Sequence, residues 1–172
     1  MRRSIHFAFL AMIILLQSSS LNAQYEAKVS SVNGAVQYQA PGSKIFQPLK
    51  VNQKLMPGTT IKTGASSNAI ILTVPGAGMH IAENTTIVLT EYSFNPNAKE
   101  GPQRKTLVDL RSGTVSALIN KDISSQTDFK IKTPQGTASA RGTFYGVTYD
   151  GKKTYVAVKE GKVGVSQISK KR

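Results

Sequence analysis

The sequence contains no cysteine. This absence excludes disulfide bonds, a thiol nucleophile, cysteine-ligated zinc and a lipid-modified N-terminal cysteine. The folded chain must therefore be stabilised by packing and hydrogen bonding alone.

Acidic residues are scarce, with nine Asp and Glu against 22 Lys and Arg and a formal net charge of +13. Such an imbalance favours anionic neighbours, such as acidic glycans, lipid headgroups or an acidic protein face, and the alternative is a merely soluble basic surface. Nucleic acid is disfavoured because the basic residues are scattered. The carboxylates fall singly along the chain, so nothing marks a pair for glycoside hydrolysis.

Long apolar runs are also missing. The segment Phe7–Leu16 has ten apolar residues, about half of the ~20 that a membrane-spanning helix needs. It follows Arg2 and Arg3 and precedes a Ser-rich segment that ends at Ala23. This order predicts a helical signal peptide over residues 1–23, cut between Ala23 and Gln24, with a membrane anchor as the alternative. We therefore expect an exported bacterial protein, periplasmic or secreted, with no transmembrane segment in the mature chain.

The mature chain is long enough for one domain. Removing residues 1–23 from the 172 leaves 149, and the loss of two arginines lowers the net charge to +11. A single domain over residues 24–172 is the expectation at this length. Such a domain buries about 68–70% of its unfolded surface, so a substantial core is possible.

Strand patterns dominate the mature chain, and no segment has convincing helical periodicity. Short β-prone runs are separated by Gly, Pro and Asn clusters, among them a predicted hairpin turn at Asn33-Gly34 and turns at residues 40–43 and 55–58. We predict an all-β fold, either a short-strand β-sandwich or a β-solenoid.

A weak internal repeat supports this fold class. Leu107–Val115 aligns with Tyr155–Val163, each reading apolar-x-apolar, two polar residues, Gly, a polar residue and Val, and residues 33–36 form a looser third copy. Each unit predicts a strand, a turn at Gly113 or Gly161, and a second strand. Two clear copies of the repeat do not distinguish a β-sandwich from a β-solenoid.

Two polar stretches interrupt the strand pattern. Residues 94–106 carry two prolines, two asparagines and mixed charges, which predicts a long exposed loop. Residues 120–128 are a shorter insertion of the same kind. The long loop is either a passive excursion or a recognition loop held by a rigid scaffold.

Catalytic and metal-binding patterns are weak. His80 has no cysteine or carboxylate cluster around it except Glu83, which argues against a metal site. Ser139 lies in Ala-Ser-Ala and not in the Gly-x-Ser-x-Gly elbow of serine hydrolases. Five aromatic residues are compatible with a strip for sugar stacking or with ordinary cross-strand packing: Tyr92, Phe94, Tyr145, Tyr149 and Tyr155.

The most informative stretch is residues 132–144. Thr133-Pro134-x-Gly136 predicts a turn into a strand of small residues, and Arg141-Gly142-Thr143-Phe144 opens the next strand. The glycines suit turns or close strand packing. Arg141 either satisfies turn carbonyls or pairs with a carboxylate such as Asp109 or Asp128, or it contacts an anionic ligand.

Taken in order over residues 28–166, these motifs resemble the FecR-type domain, a module of the bacterial envelope. In one place the sequence departs from the family pattern: Phe144 follows Thr143 directly, and Tyr145 takes the usual aromatic position. The residues that carry the resemblance are Gly34, Gly58, Thr63, Gly64, Gly113, Thr133, Pro134, Gly136, Arg141, Gly142, Thr143 and Gly161.

The resemblance implies a binding or signalling module. The family prototype senses a loaded outer-membrane transporter and relays the signal across the inner membrane to a sigma factor, using an anti-sigma segment and a membrane helix. This sequence shows neither of those parts, so we expect a free-standing exported module that is not an enzyme and has no cofactor. The expected partner is an envelope protein, with an anionic glycan such as peptidoglycan as the alternative. The oligomeric state is left open.

Overall fold

The computed structural model describes residues 25–120, 122, 127–140, 144–159 and 162–167. These residues form β-strands and no α-helix, which confirms the all-β prediction. The predicted signal-peptide helix and its cleavage site at Ala23 and Gln24 lie outside the described residues. The strands are β1 Ala27–Asn33, β2 Val36–Gln39, β3 Gln47–Pro48, β4 Lys54–Leu55, β5 Thr59–Thr63, β6 Asn68–Val74, β7 Ala77–Ile81, β8 Thr86–Asn95, β9 Gln103–Ile119, β10 Thr127–Thr133, β11 Gly136–Ala140, β12 Tyr145–Tyr149, β13 Thr154–Val158 and β14 Val163–Gln167.

One curled sheet accounts for the fold. Its main path runs β3-β2-β5-β8-β9-β7-β6-β1-β4, with β10 to β14 branching from β9. The first half of β9 pairs with β8 and β10, and its second half pairs with β7 and β12. The strand pairs are antiparallel except for β9 with β10. The described strands therefore curl around a shared core and do not show the stacked parallel coils of a solenoid.

The core follows from strict alternation along the strands. In β10, Phe129 and Ile131 are fully buried while Asp128, Lys130 and Lys132 point outward. The same pattern places Ile61, Ile71, Met79, Leu89 and Leu110 inside. At about 25 cal/mol per Å² of apolar surface, this burial is the main stabilising term in a fold that has no cross-links.

The predicted turn at Gly113 is wrong. Gly113 lies inside the unbroken strand β9, with φ of +89°. A Cβ at this position would lie 2.2 Å from Oγ1 of Thr85, the hydroxyl that accepts a 2.9 Å hydrogen bond from the Thr114 amide. The glycine thus lets β9 change direction between its two sets of partners, and it does not end the strand.

The second repeat copy is not a hairpin either. β13 pairs with β12, whereas β14 pairs with β11. The two strands belong to different parts of the sheet, and the intervening Gly161 lies outside the described residues. The sequence repeat between Leu107–Val115 and Tyr155–Val163 therefore does not correspond to a structural repeat.

The turn at Asn33-Gly34 exists, but the predicted hairpin is wrong. β1 pairs with β4 and β6, and β2 pairs with β3 and β5. Gly34 has φ of +76°, and a Cβ there would lie 2.3 Å from Oγ of Ser67. The turn therefore carries the chain from one part of the sheet to another.

The exposed loop predicted over residues 94–106 is wrong at both ends. β8 continues to Asn95 and β9 begins at Gln103, so only residues 96–102 connect the two strands. Thr106 is fully buried and shares a 2.9 Å hydrogen bond with Thr73. Within the second predicted insertion, β10 already begins at Thr127. No helix among the described residues is long and apolar enough to cross a membrane.

Candidate functional site

The Thr-Pro-Gln-Gly turn joins β10 to β11 and is tied to a distant turn. The Thr133 hydroxyl lies 3.2 Å from the Gly136 carbonyl oxygen and 2.8 Å from the Thr154 hydroxyl, and it accepts from the Gln135 amide at 3.3 Å. Thr133 is buried, and its contact with the Gly136 carbonyl is shielded from water, whereas the other two contacts are partly buried. The motif threonine therefore connects β11 to the start of β13.

Gln135 makes a second connection between the two turns. Its Nε2 donates to the carbonyl of Lys152, and its Oε1 accepts from the amide of Thr154 at 2.8 Å. A single side-chain carboxamide thus satisfies a donor and an acceptor of the neighbouring backbone. The turn at residues 134–135 is held against the turn at residues 150–153, and one end of the space between β11 and β13 is closed.

Gly136 allows β14 to approach β11. A Cβ at this position would lie 2.3 Å from the Ser166 carbonyl oxygen, well inside any permitted contact. Its backbone pairs with Gln167, the last residue of β14. The glycine of the motif is therefore required by close strand packing.

A groove of about 700 Å³ opens beside these turns. Its walls come from β11, β12, β13 and β14, so it lies where the curled sheet is open. Val165 is 57% exposed although its strand partner Ala138 is buried, and Val156 is half-buried. The groove is lined by Pro134, Gln135, Gly136, Thr137, Ala138, Tyr149, Thr154, Val156, Val165 and Gln167.

The strands that flank the groove are sheet edges. Among the described strands, β13 has β12 as its one partner and β14 has β11. Unpaired edges carry backbone donors and acceptors that another chain can use. The site therefore combines apolar side chains with available backbone groups, which is the chemistry of peptide and protein recognition.

Asp150 and Asp128 are both engaged by the fold. Oδ1 of Asp150 accepts from the amides of Lys153 and Lys152, each at 2.7 Å, and these bonds hold its pKa below the ordinary value. Asp128 forms a 2.7 Å ion pair with Lys130. Both groups stabilise turns or strand surfaces in the described structure.

Tyr145 anchors the strand that follows the Arg-Gly-Thr motif. It is fully buried, and its hydroxyl donates to the Phe129 carbonyl at 2.9 Å. Burial raises the pKa of this phenol far above its ordinary value, and the charge of Asp128 adds to the shift. The neighbouring Phe144 is 41% exposed, so the core position belongs to Tyr145.

Other motif residues lie away from the groove. The Thr63 hydroxyl donates to the Ala82 carbonyl at 2.6 Å and accepts from the Thr85 amide, while the Gly64 amide donates to Ala35. Gly58 has φ of +88° in its turn. Together with Gly34 and Gly113, these residues shape the sheet. Arg141, Gly142, Thr143 and Gly161 lie outside the described residues.

The five aromatic residues do not form one strip. Tyr92 and Tyr145 are buried in the core, and the Tyr92 hydroxyl donates to Leu55 at 2.6 Å. Phe94 contacts Tyr25 and the Arg104 guanidinium, whereas Tyr155 is 54% exposed on β13. Of the set, Tyr149 alone lines the groove. A sugar-stacking strip built from these residues is therefore ruled out.

Within the described part of the chain, His80 and Ser139 have no chemical partners that would make them reactive. His80 lies on β7 between Ile70 and Ser116 of the adjacent strands and is partly exposed. Ser139 lies on the outward side of β11, opposite Lys130 and Gly164. Among the described residues, no group of three His, Cys, Asp or Glu is placed to hold a metal ion.

Sequence reasoning missed Gln135, Thr154 and Asp150. The first is the variable residue of Thr-Pro-x-Gly, and nothing in its neighbours signals that its side chain reaches another turn. Asp150 precedes Gly151, a turn pattern in which Asp accepts from backbone amides two and three residues on. That signal was present in the sequence, whereas the partner of Gln135 depends on the tertiary fold.

The described strands form a curled all-β sheet, and its edge strands β13 and β14 flank an open groove. The chain belongs to the FecR protein family, whose model matches residues 59–164. The match confirms the resemblance over a shorter range than residues 28–166, because it begins at β5. β1 nevertheless lies between β4 and β6 in the sheet, so the strands before the match are part of the same fold.

Two solved structures are similar to the chain. Both are crystal structures of a protein named a "putative anti-sigma factor" from Parabacteroides distasonis, at 1.65 and 2.50 Å resolution. They share 18% and 16% sequence identity, each with a TM-score of 0.44, over 63% of this chain. The similar region spans half the length of those proteins. No curated protein matches the chain.

Proposed function

We propose that this protein is an exported FecR-type module that binds a protein partner in envelope sensing or signalling and performs no chemistry of its own. Membership of the FecR family supports a signalling-related role. The observation that carries the proposal is the groove between β13 and β14, which presents apolar side chains beside two sheet edges.

An exposed valine at the groove supports a protein partner. Val165 is 57% exposed, yet it lies in register with the core residue Ala138 of the adjacent strand. Covering this side chain would be stabilising, because each Å² of apolar surface removed from water contributes about 25 cal/mol. A protein surface supplies that cover, whereas a hydrated sugar does so poorly.

The direct experiment is affinity capture from envelope extract with the purified protein as bait. We expect one protein to be retained saturably and to remain bound at 0.5 M salt, because apolar contacts are not screened by ions. Retention of no protein, or of many proteins in proportion to their abundance, contradicts the proposal.

A second candidate function rests on the outward face of β5, β9 and β10. This face carries five cations, although three of them are paired with Glu91, Asp109 and Asp128. The five cations are Lys62, Lys105, Arg111, Lys130 and Lys132. The hydrogen bond to Glu91 also raises the pKa of Lys105. Retention on peptidoglycan or an acidic polysaccharide that disappears as salt rises would favour this glycan-binding alternative.

Export is tested separately. Fractionation of cells that produce the tagged chain should place it outside the cytoplasm, with Gln24 as its first residue by mass spectrometry. A full-length cytoplasmic protein that retains residues 1–23 contradicts the proposed export.

A further inference from the structure

β13 has one edge directed toward β12 and one directed away from it. The Lys159 amide donates to Phe144 at 3.0 Å and the Asp150 amide to Lys153 at 3.2 Å, which fixes the antiparallel bonding pattern. Because bonding direction alternates along a strand, the amides and carbonyls of Val156 and Val158 point to the other edge. No strand among the described residues pairs there.

The side chain of Gln135 already bonds to backbone groups at the start of this edge. Its carboxamide donates to the Lys152 carbonyl and accepts from the Thr154 amide. A residue of an added parallel strand makes the same pair of bonds, one donated and one accepted, with backbone groups two residues apart. The edge is therefore shaped to accept amide groups at residues 152–154, and the same geometry continues at Val156 and Val158.

The charges along β13 select the chemistry of a partner strand. Lys152 and Lys153 are exposed before the strand, and Lys159 is exposed after it, where its Nζ lies 5.5 Å from the centre of the Phe144 ring. The one described carboxylate in this segment, Asp150, is bonded to backbone amides. Acidic side chains at the ends of an added strand would meet these lysines, while its apolar side chains face the groove.

We propose that the free edge of β13 binds an extended segment of a partner protein by strand addition. This inference rests on the proposed protein-binding function and specifies its mode. The bound segment pairs its backbone with Val156 and Val158, places alternate apolar residues in the groove beside Val165 and Tyr149, and carries acidic residues near Lys153 and Lys159. A second copy of this chain is disfavoured as the added strand, because its lysines would face those of the first.

Proline substitution separates the two edges of β13. Val158→Pro removes an amide that points away from β12, so the bonds to β12 are retained and an edge strand tolerates the change. Ala157→Pro removes an amide that donates to β12 and should destabilise the fold. Val158→Ala retains the amide while shortening the side chain, which makes it the matched control for binding.

The probe is a displayed library of random 12-residue peptides, selected on the purified protein. We expect enriched peptides with alternating apolar residues and acidic residues near their ends. Each should bind Val158→Pro at least about tenfold more weakly than the unchanged protein, as the loss of a backbone hydrogen bond and steric exclusion by the ring require. Binding to Val158→Ala should change by less than about threefold, and both variants should melt cooperatively.

Equal binding of the peptides to Val158→Pro and to the unchanged protein would overturn strand addition, as would failure to enrich any peptide. Binding of the protein captured from envelope extract distinguishes a failure of strand addition from a failure of the proposed function. A captured protein that binds Val158→Pro normally contradicts the strand-addition mode and leaves protein binding intact. Absence of any saturable protein partner contradicts the proposed function itself.

Discussion

At the scale of single residues, the turn at Thr133–Gly136 is built from side-chain contacts that reach well beyond a turn. The Thr133 hydroxyl lies 2.8 Å from that of Thr154, and Gln135 bonds the backbone on both sides of Lys153. These contacts hold two turns together at one end of the groove. The motif therefore determines the shape of the site as well as the path of the chain.

Replacement of Gln135 tests this linkage. Gln135→Ala removes one donor and one acceptor that serve the exposed turn at residues 150–153, and we expect the free energy of unfolding to fall by about 1 kcal/mol. Urea unfolding followed by circular dichroism measures the change. The matched control is Gln47→Ala, which removes one exposed hydrogen bond to Tyr38 and should have a smaller effect. Equal losses would contradict a bridging role for Gln135.

Two glycines on one strand pair provide a sharper comparison. Gly136→Ala places a Cβ 2.3 Å from the Ser166 carbonyl oxygen, whereas Gly164→Ala places one 3.5 Å from the Ser139 hydroxyl. We expect the first change to destabilise the protein by about 1–3 kcal/mol through overpacking and the second to be close to neutral. Thermal unfolding of both variants measures the difference, and similar midpoints would contradict the close approach of β14 to β11.

At the scale of elements, the alternation of apolar and polar residues predicted that the chain forms strands. It did not predict which strands pair with each other. The start of β11 was recognised, because Thr133-Pro134-x-Gly136 is a turn pattern followed by a run of small residues. Gly113 was taken for a turn because its neighbours read as two short strands, but β9 continues through it with a positive φ. Pairing of β13 and β14 with different strands depends on long-range contacts, which leave no trace in local periodicity.

The connection between β8 and β9 should tolerate shortening. Residues 97–100 lie in a turn, with the Gly101 amide bonded to Ala98, so their removal with reclosure should change the free energy of unfolding by less than about 0.5 kcal/mol. Removal of residues 103–106 should unfold the protein, because Thr106 is buried and bonded to Thr73. Circular dichroism measures whether each deletion variant is folded. A folded protein that lacks residues 103–106 would contradict the extent of β9.

The turn at residues 150–153 should be sensitive to acid. Hydrogen bonds from the Lys153 and Lys152 amides lower the pKa of Asp150 below its ordinary value of 3.8. Its stabilising effect is therefore fully present above pH 3.8 and is lost as the pH falls through the lowered pKa. We expect Asp150→Ala to melt below the unchanged protein at pH 7, with the difference shrinking below pH 3.8. A difference that is constant from pH 7 to pH 2.5 would contradict this.

At the scale of the whole molecule, the described strands form one sheet that curls around a shared core. Val165 lies in register with the buried Ala138 yet remains largely exposed, and the proposed partner would cover it. The FecR family assignment was accessible from ordered motifs, whereas the groove was not, because its walls come from four strands whose pairing the sequence did not reveal. Residues 94–95 and 103–106 of the expected recognition loop are strand, and the groove is formed elsewhere.

The most direct test of the account is the affinity of the captured envelope protein for Val165→Arg. This residue is 57% exposed, so the substitution should leave the fold intact while placing a charge in the groove. Val51→Arg, at a 50% exposed valine in a distant turn, is the matched control. We predict at least about a tenfold loss of affinity for the first variant and none for the second. Unchanged binding by Val165→Arg would contradict the groove as the partner site.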